Sequence, residues 1–183
     1  MPTDFGIAVT AWTARVAVGC YLARLLIDVA RPRDLHWQSR GRSIWTIGGV
    51  IFCLHVLAAY HFYHHWSRTA AWEHTRLQTL AKTGWDSGAG LIVNDLFLLV
   101  WLADLAFWWR DIHWPERRGW YWSTQAFLLF IVINATVVFG PTGWIPVAIG
   151  VMIMAGALGF GLRSPHVENQ PPCCEESDRV ELS

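Results

Sequence analysis

Charged side chains are scarce in this sequence. Asp, Glu, Lys and Arg make up 15% of its 183 residues while 54% are hydrophobic, against the roughly 25% charged share of an ordinary soluble domain. Too few polar groups exist to coat a water-soluble surface. The formal net charge is +0, and no basic cluster interleaved with aromatics occurs, so nucleic acid is not an expected partner. Cysteine is sparse as well. Cys20 and Cys53 lie inside apolar runs and Cys173 and Cys174 are adjacent near the end, which is no spaced framework for a disulfide-stapled secreted domain. No internal repeat stands out, and no phosphate-cradling, nucleotide or nucleophile motif is present; the "GAG" at Gly88 to Gly90 reads as a loop before a span. The opening "MPTD" holds an acid and no base, which argues against a cleaved signal peptide.

What the chain has instead is long apolar runs. Five of them, 5–30, 44–66, 90–109, 121–140 and 143–162, approach or exceed the roughly 20 residues that cross a hydrocarbon core about 30 Å thick. The expected fold is an all-α integral membrane protein. It has five transmembrane helices in a single domain over 1–162, a short amphipathic helix in the second loop (67–86), and a disordered cytoplasmic tail over 163–183. Trp45, Trp66, Trp108, Trp109, Trp120, Trp122 and Trp144 fall at or beside the ends of the runs, where indoles favour the headgroup layer. Arg31, Arg33, Arg40 and Arg42 in the first loop, Arg110, Arg117 and Arg118 in the third, and Arg163 and Arg179 in the tail outnumber Arg68, Arg76 and Lys82 on the other side. The excess predicts an N-terminus outside and a C-terminus in the cytoplasm.

Polar groups within the spans carry the remaining information, because each is costly in lipid and turns toward protein, water or a partner. Arg15 and Asp104 fall within about 6 Å of one another in depth at 1.5 Å per residue, which predicts a structural ion pair between the first and third spans. Arg24 and Asp28, four apart, read as a local pair on one helix. A second layer nearer the outside contains His61, Asn94, Asp95 and Asn134 at similar depth. Asp95 and Asp104 lie about 180° apart around their helix, which would make that helix central, with neighbours on both sides.

The stretch "HVLAAYHFYHHWSRTAAWEH" holds five of the eight histidines. His61 and His65 share a helix face and His64 is turned about 60° from His61. After them, Ser67 reads as an N-cap and Gly84 as the end of a short helix, with Ala70, Leu77, Ala81 and His74 on one face directed to the membrane or the bundle. Two readings follow. One is a transition metal (Zn, Fe or Mn) held by His61, His64, His65, His74 and Asp95, with Glu73, Asn94 and Asn134 as a supporting polar layer. The other is a set of interfacial side chains at headgroup level with no ligand role.

The spacing H-x-x-H-H at His61, His64 and His65 resembles one histidine box of the membrane fatty-acid desaturases and hydroxylases. That resemblance covers five residues and implies iron ligation. Those enzymes use several boxes, and no second one stands here, so the family is not assigned. A b-type haem with two facing histidines is disfavoured, since the third, fourth and fifth spans lack histidine; a single-ligand haem, or one shared with another subunit, stays open. The chain is therefore expected to be either a metal-dependent membrane enzyme or metal-handling protein, or a non-catalytic subunit of a membrane complex. The lipid bilayer and other membrane subunits are its expected partners. A small transporter is the weaker alternative.

Overall fold

The computed structural model describes residues 3–30 and 35–135. Its elements are α1 (Asp4–Ala30), α2 (Leu35–Phe62), α3 (Arg68–Thr83), α4 (Gly90–Arg110), a short 3₁₀ turn (Trp114–Glu116) and α5 (Arg118–Ile133). There is no strand among the described residues. Asp4–Asp28 of α1, His36–Phe62 of α2 and Gly90–Arg110 of α4 are each long and apolar enough to cross a membrane. At 1.5 Å per residue even the shortest of these, 21 residues in α4, reaches about 30 Å.

The bundle is apolar outside as well as in. Its core is Ala17 and Tyr21 of α1, Trp45 of α2, Phe97, Trp101 and Trp108 of α4, and Leu128, Ile131 and Val132 of α5. Arg24 and Asp104 are buried beside it. The exposed faces are aliphatic: Ile47, Val50, Leu54 and Leu57 run along α2, and Ile92, Leu96 and Leu99 along α4. Such a pattern costs nothing in lipid and a great deal in water. Length and this outer surface together make the three long helices suited to a bilayer.

Close approach of α1, α2 and α4 depends on small residues. A Cβ on Gly48 would stand 2.8 Å from Cys20 Cβ and 2.9 Å from Trp101, so the missing side chain is what lets α2 sit against both neighbours. Trp45 and Trp101 stack with centroids 4.3 Å apart, and α4 packs against α2, α3 and α5.

Several boundaries differ from the hydropathy reading. α2 begins at Leu35, nine residues before the apolar run, so Arg40 and Arg42 lie on its first turns rather than in a loop. It ends at Phe62, and 63–66 form a turn in which His65 and Trp66 take positive φ, 47° and 61°. Hydropathy locates the lipid-compatible stretch, whereas the backbone continues as helix until its hydrogen bonds fail. α3 is bounded as expected: Ser67 Oγ accepts from Ala70 N–H at 3.2 Å, and Gly84 closes the helix at φ 76° with its N–H donating to Leu80. The fourth predicted span is described only as far as residue 135, and the fifth span, the tail and Trp144 lie outside the described residues.

Candidate functional site

The histidine corner forms where α2 turns into α3. His64 and His74 meet edge to face, with centroids 5.3 Å apart, and Tyr63 lies against both rings. His64 Nδ1 is buried without a hydrogen-bond partner. Burial, with His74 and then His65 adding like charge, pushes His64 below the ordinary imidazole range. His74 Nε2 is engaged by the Gln78 side-chain amide at 2.8 Å.

The other expected ligands go elsewhere. Asp95 accepts from Arg68 Nη2 at 2.7 Å, an ion pair that ties the start of α3 to α4. Arg68 supplies the opposite charge within contact distance, so the carboxylate is already compensated. Glu73 is taken by Arg76, at 2.7 Å and 2.9 Å, which lowers the Glu73 pKa through that hydrogen bond. His61 is exposed, with its ring against Phe62 and Trp66, and His65 is exposed at the left-handed elbow. Asn94 is exposed, and the Asn134 amide donates back to Phe130 C=O on its own helix at 2.8 Å. Of the five expected ligands, the structure thus brings His64 and His74 together. Among the described residues no three His, Cys, Asp or Glu side chains converge as a metal ligand set.

His55 is drawn to the bundle instead. Its Nδ1 lies 2.9 Å from Thr10 C=O and 3.4 Å from Thr13 Oγ1, so it bonds α2 to α1.

The second constellation is deeper and toward the opposite end. Asp104 receives two indole N–H bonds, from Trp45 to Oδ2 and from Trp114 to Oδ1, both at 3.0 Å. The cation whose charge acts on it is Arg24. The expected Arg15–Asp104 pair is not among the ion pairs of the described residues, and Arg15 Cζ lies 5.1 Å from the Trp12 ring on its own helix. The physical reason is register: Tyr21 lies against Trp101 and Arg24 on Trp108, so these residues of α1 stand level with Asp104, and Arg15, nine residues from Arg24, is about 13 Å further along the helix.

Arg24 and Asp28 do form the i,i+4 pair, with Nε to Oδ2 at 2.7 Å. The pair is far from being a surface feature. Arg24 is 2% exposed, its guanidinium lies 3.7 Å from the Trp108 ring centroid, and Tyr121 OH donates to Asp28 at 2.6 Å. Tyr21 OH donates to Gln125 C=O at 3.2 Å. Helices α1, α2, α4 and α5 are thereby joined through one buried polar knot.

Sequence reasoning missed Trp45, Trp108, Trp114, Tyr121 and Gln125 as members of this knot. Trp45 and Trp108 were expected in the headgroup belt; both are core, because the N–H of Trp45 finds Asp104 rather than lipid oxygen. Trp66, Trp109, Trp120 and Trp122 are exposed, as an interfacial belt requires. A usable signal existed for Tyr121, a polar residue inside an apolar run as Arg24 and Asp28 are on α1, but none for Gln125, which accepts through its backbone carbonyl. Compared with known protein families, with curated proteins and with solved structures, the chain shows no match.

Proposed function

We propose that this chain is a five-span membrane protein, N-terminus outside and C-terminus cytoplasmic, acting as a non-catalytic subunit whose buried polar groups hold helices in register. The observation that carries the proposal is the fate of the carboxylates. Asp28, Asp95 and Asp104 are each engaged by groups of this same chain: Arg24 and Tyr121, Arg68, and Trp45 with Trp114. Carboxylates bonded across helices in this way serve as interhelical glue, with Asp28 Oδ1 the one oxygen of the buried pair left without a partner. The aliphatic outer faces of α2 and α4 supply surface for lipid or for neighbouring subunits.

A second reading, a transition-metal site (Zn, Fe or Mn), is favoured by one observation, the contact between His64 and His74. Two imidazoles so placed would need His61, His65 or Asp95 to reorient before the ion had three protein ligands. Elemental analysis and a visible spectrum of protein purified in mild detergent without chelators, alongside native electrophoresis of solubilised membranes, separate the two. The subunit reading expects migration in an assembly larger than the single chain, with neither stoichiometric metal nor a Soret band. One metal per chain, lost in a folded His64→Ala, His74→Ala variant, overturns it in favour of the metal site.

A further inference from the structure

Helix α3 turns its apolar stripe away from the bundle. The residue it buries is Ala71, Thr75 packs on Gly90, and Trp72 covers Gly88. The stripe of Ala70, Leu77 and Ala81 is exposed, with Leu77 at 52% and the adjacent Leu80 at 41%. The bundle is therefore not what covers this face.

Three facts say what does. First, α3 connects the end of α2 to the start of α4, both in membrane-spanning helices, so it is tethered at a bilayer surface at each end. Second, Arg68 at its beginning is bonded to Asp95, one turn inside α4, which draws that end down toward the span. Third, Trp66 and Trp85 flank the helix and are exposed, the latter at 76%, in the position where indoles anchor interfacial helices.

Charge then selects among lipid surfaces. Arg68 is paired with Asp95, and Arg76 with Glu73 and Asp86; with Lys82 exposed in the last turn, the cations Arg68, Arg76 and Lys82 balance the carboxylates Glu73, Asp86 and Asp95, and this corner carries no net charge. We infer that α3 is an interfacial helix docked through Ala70, Leu77, Leu80 and Ala81 on the headgroup and upper acyl zone of the bilayer, bound by apolar contact and indifferent to anionic lipid. The inference rests on the membrane-spanning reading of α2 and α4, and it holds whichever side of the membrane this end faces.

The test places a nitroxide at single cysteines, Leu77→Cys, Ala81→Cys, Lys82→Cys (about 140° round the helix from Leu77) and Leu99→Cys, in full-length chain with Cys20, Cys53, Cys173 and Cys174 replaced by serine. Each variant is reconstituted in phosphatidylcholine vesicles, and collision with oxygen is compared with collision with a water-soluble nickel chelate. Leu99, exposed on α4, is the control for the membrane reading. Expected are oxygen-favoured collisions at 99, 77 and 81, chelate-favoured collisions at 82, and less than a twofold change when about a third of the lipid is made anionic. Chelate access at 77 and 81 with 99 still in lipid overturns the docking alone. Protection of 77 and 81 from both quenchers, with spin–spin broadening, assigns the face to a second copy and also overturns it. Chelate access at 99 instead removes the membrane reading. A parallel Leu77→Ser, Leu80→Ser variant should leave α4 labels unchanged while moving position 81 toward water.

Discussion

Removing the Trp45 indole N–H tests how the polar knot works. Trp45 is 1% exposed and its Nε1 donates to Asp104 Oδ2 at 3.0 Å, while Trp114 holds the other oxygen at the same distance. A hydrogen bond to a charged group contributes about 1.5–3 kcal/mol net in soluble proteins. Interhelical bonds in bilayers average nearer 0.6 with a ceiling near 1.7 kcal/mol, because the membrane-inserted unfolded state also finds partners. This pair is buried and well aligned, so the coupling belongs near that ceiling, about 1.5 kcal/mol or roughly tenfold in the unfolding equilibrium. The measurement is a double-mutant cycle of Trp45→Phe and Asp104→Leu, read by reversible unfolding in bicelles with a steric-trap or detergent titration. Trp45→Phe alone also loosens stacking on Trp101 at 4.3 Å and contact with Tyr21 at 5.7 Å; the cycle cancels that packing loss. A coupling below about 0.5 kcal/mol, within the scatter of non-interacting sites, would refute the assignment of Asp104 as an indole-held anchor.

The Arg68–Asp95 pair should behave differently, since its side chains are 66% and 35% exposed: the cycle of Arg68→Ala and Asp95→Ala should give a coupling within the scatter of the assay, and one near that of Trp45 with Asp104 would contradict the exposure argument. At the elbow, φ of 47° at His65 favours glycine, so His65→Gly should be more stable than His65→Ala by about 1 kcal/mol in the same unfolding assay, the reverse of the order inside a helix. His64 sits below the ordinary imidazole pKa through burial and its histidine neighbours, so near pH 6 the folded chain binds fewer protons than the unfolded one. Its contribution to stability is complete above an unfolded pKa of about 6.5 and declines as pH falls through that value. A His64→Phe variant should lose that acid-side slope, and a slope unchanged by the substitution would assign it to other groups.

The legible and illegible parts divide by the range of the interaction. The caps of α3 at Ser67 and Gly84 and the span over Gly90–Arg110 were readable because capping geometry, hydropathy and helix length act within a few consecutive residues. Arg24 with Asp28 was readable as a pair for the same reason, being one turn apart on a single helix. Depth could also be counted, at a fixed rise per residue. The count misjudged the offset of α1 against α4, where Arg24 rather than Arg15 meets the end that holds Asp104, and it cannot supply azimuth, the rotation of each helix about its axis, which spread His61, His65 and Asp95 around the corner instead of toward one point.

Composition and periodicity alone determined that this chain is helical, carries runs suited to a bilayer, and gathers five of its eight histidines in one stretch. Tertiary structure alone decided which polar groups meet. Asp104 closes on Trp45 and Trp114, Asp28 on Tyr121, and Asp95 on Arg68, because a buried donor or acceptor must find whichever partner the packed helix faces present. That choice is set by close contacts such as Gly48 against Cys20 and Trp101, which fix how each helix is rotated against its neighbours.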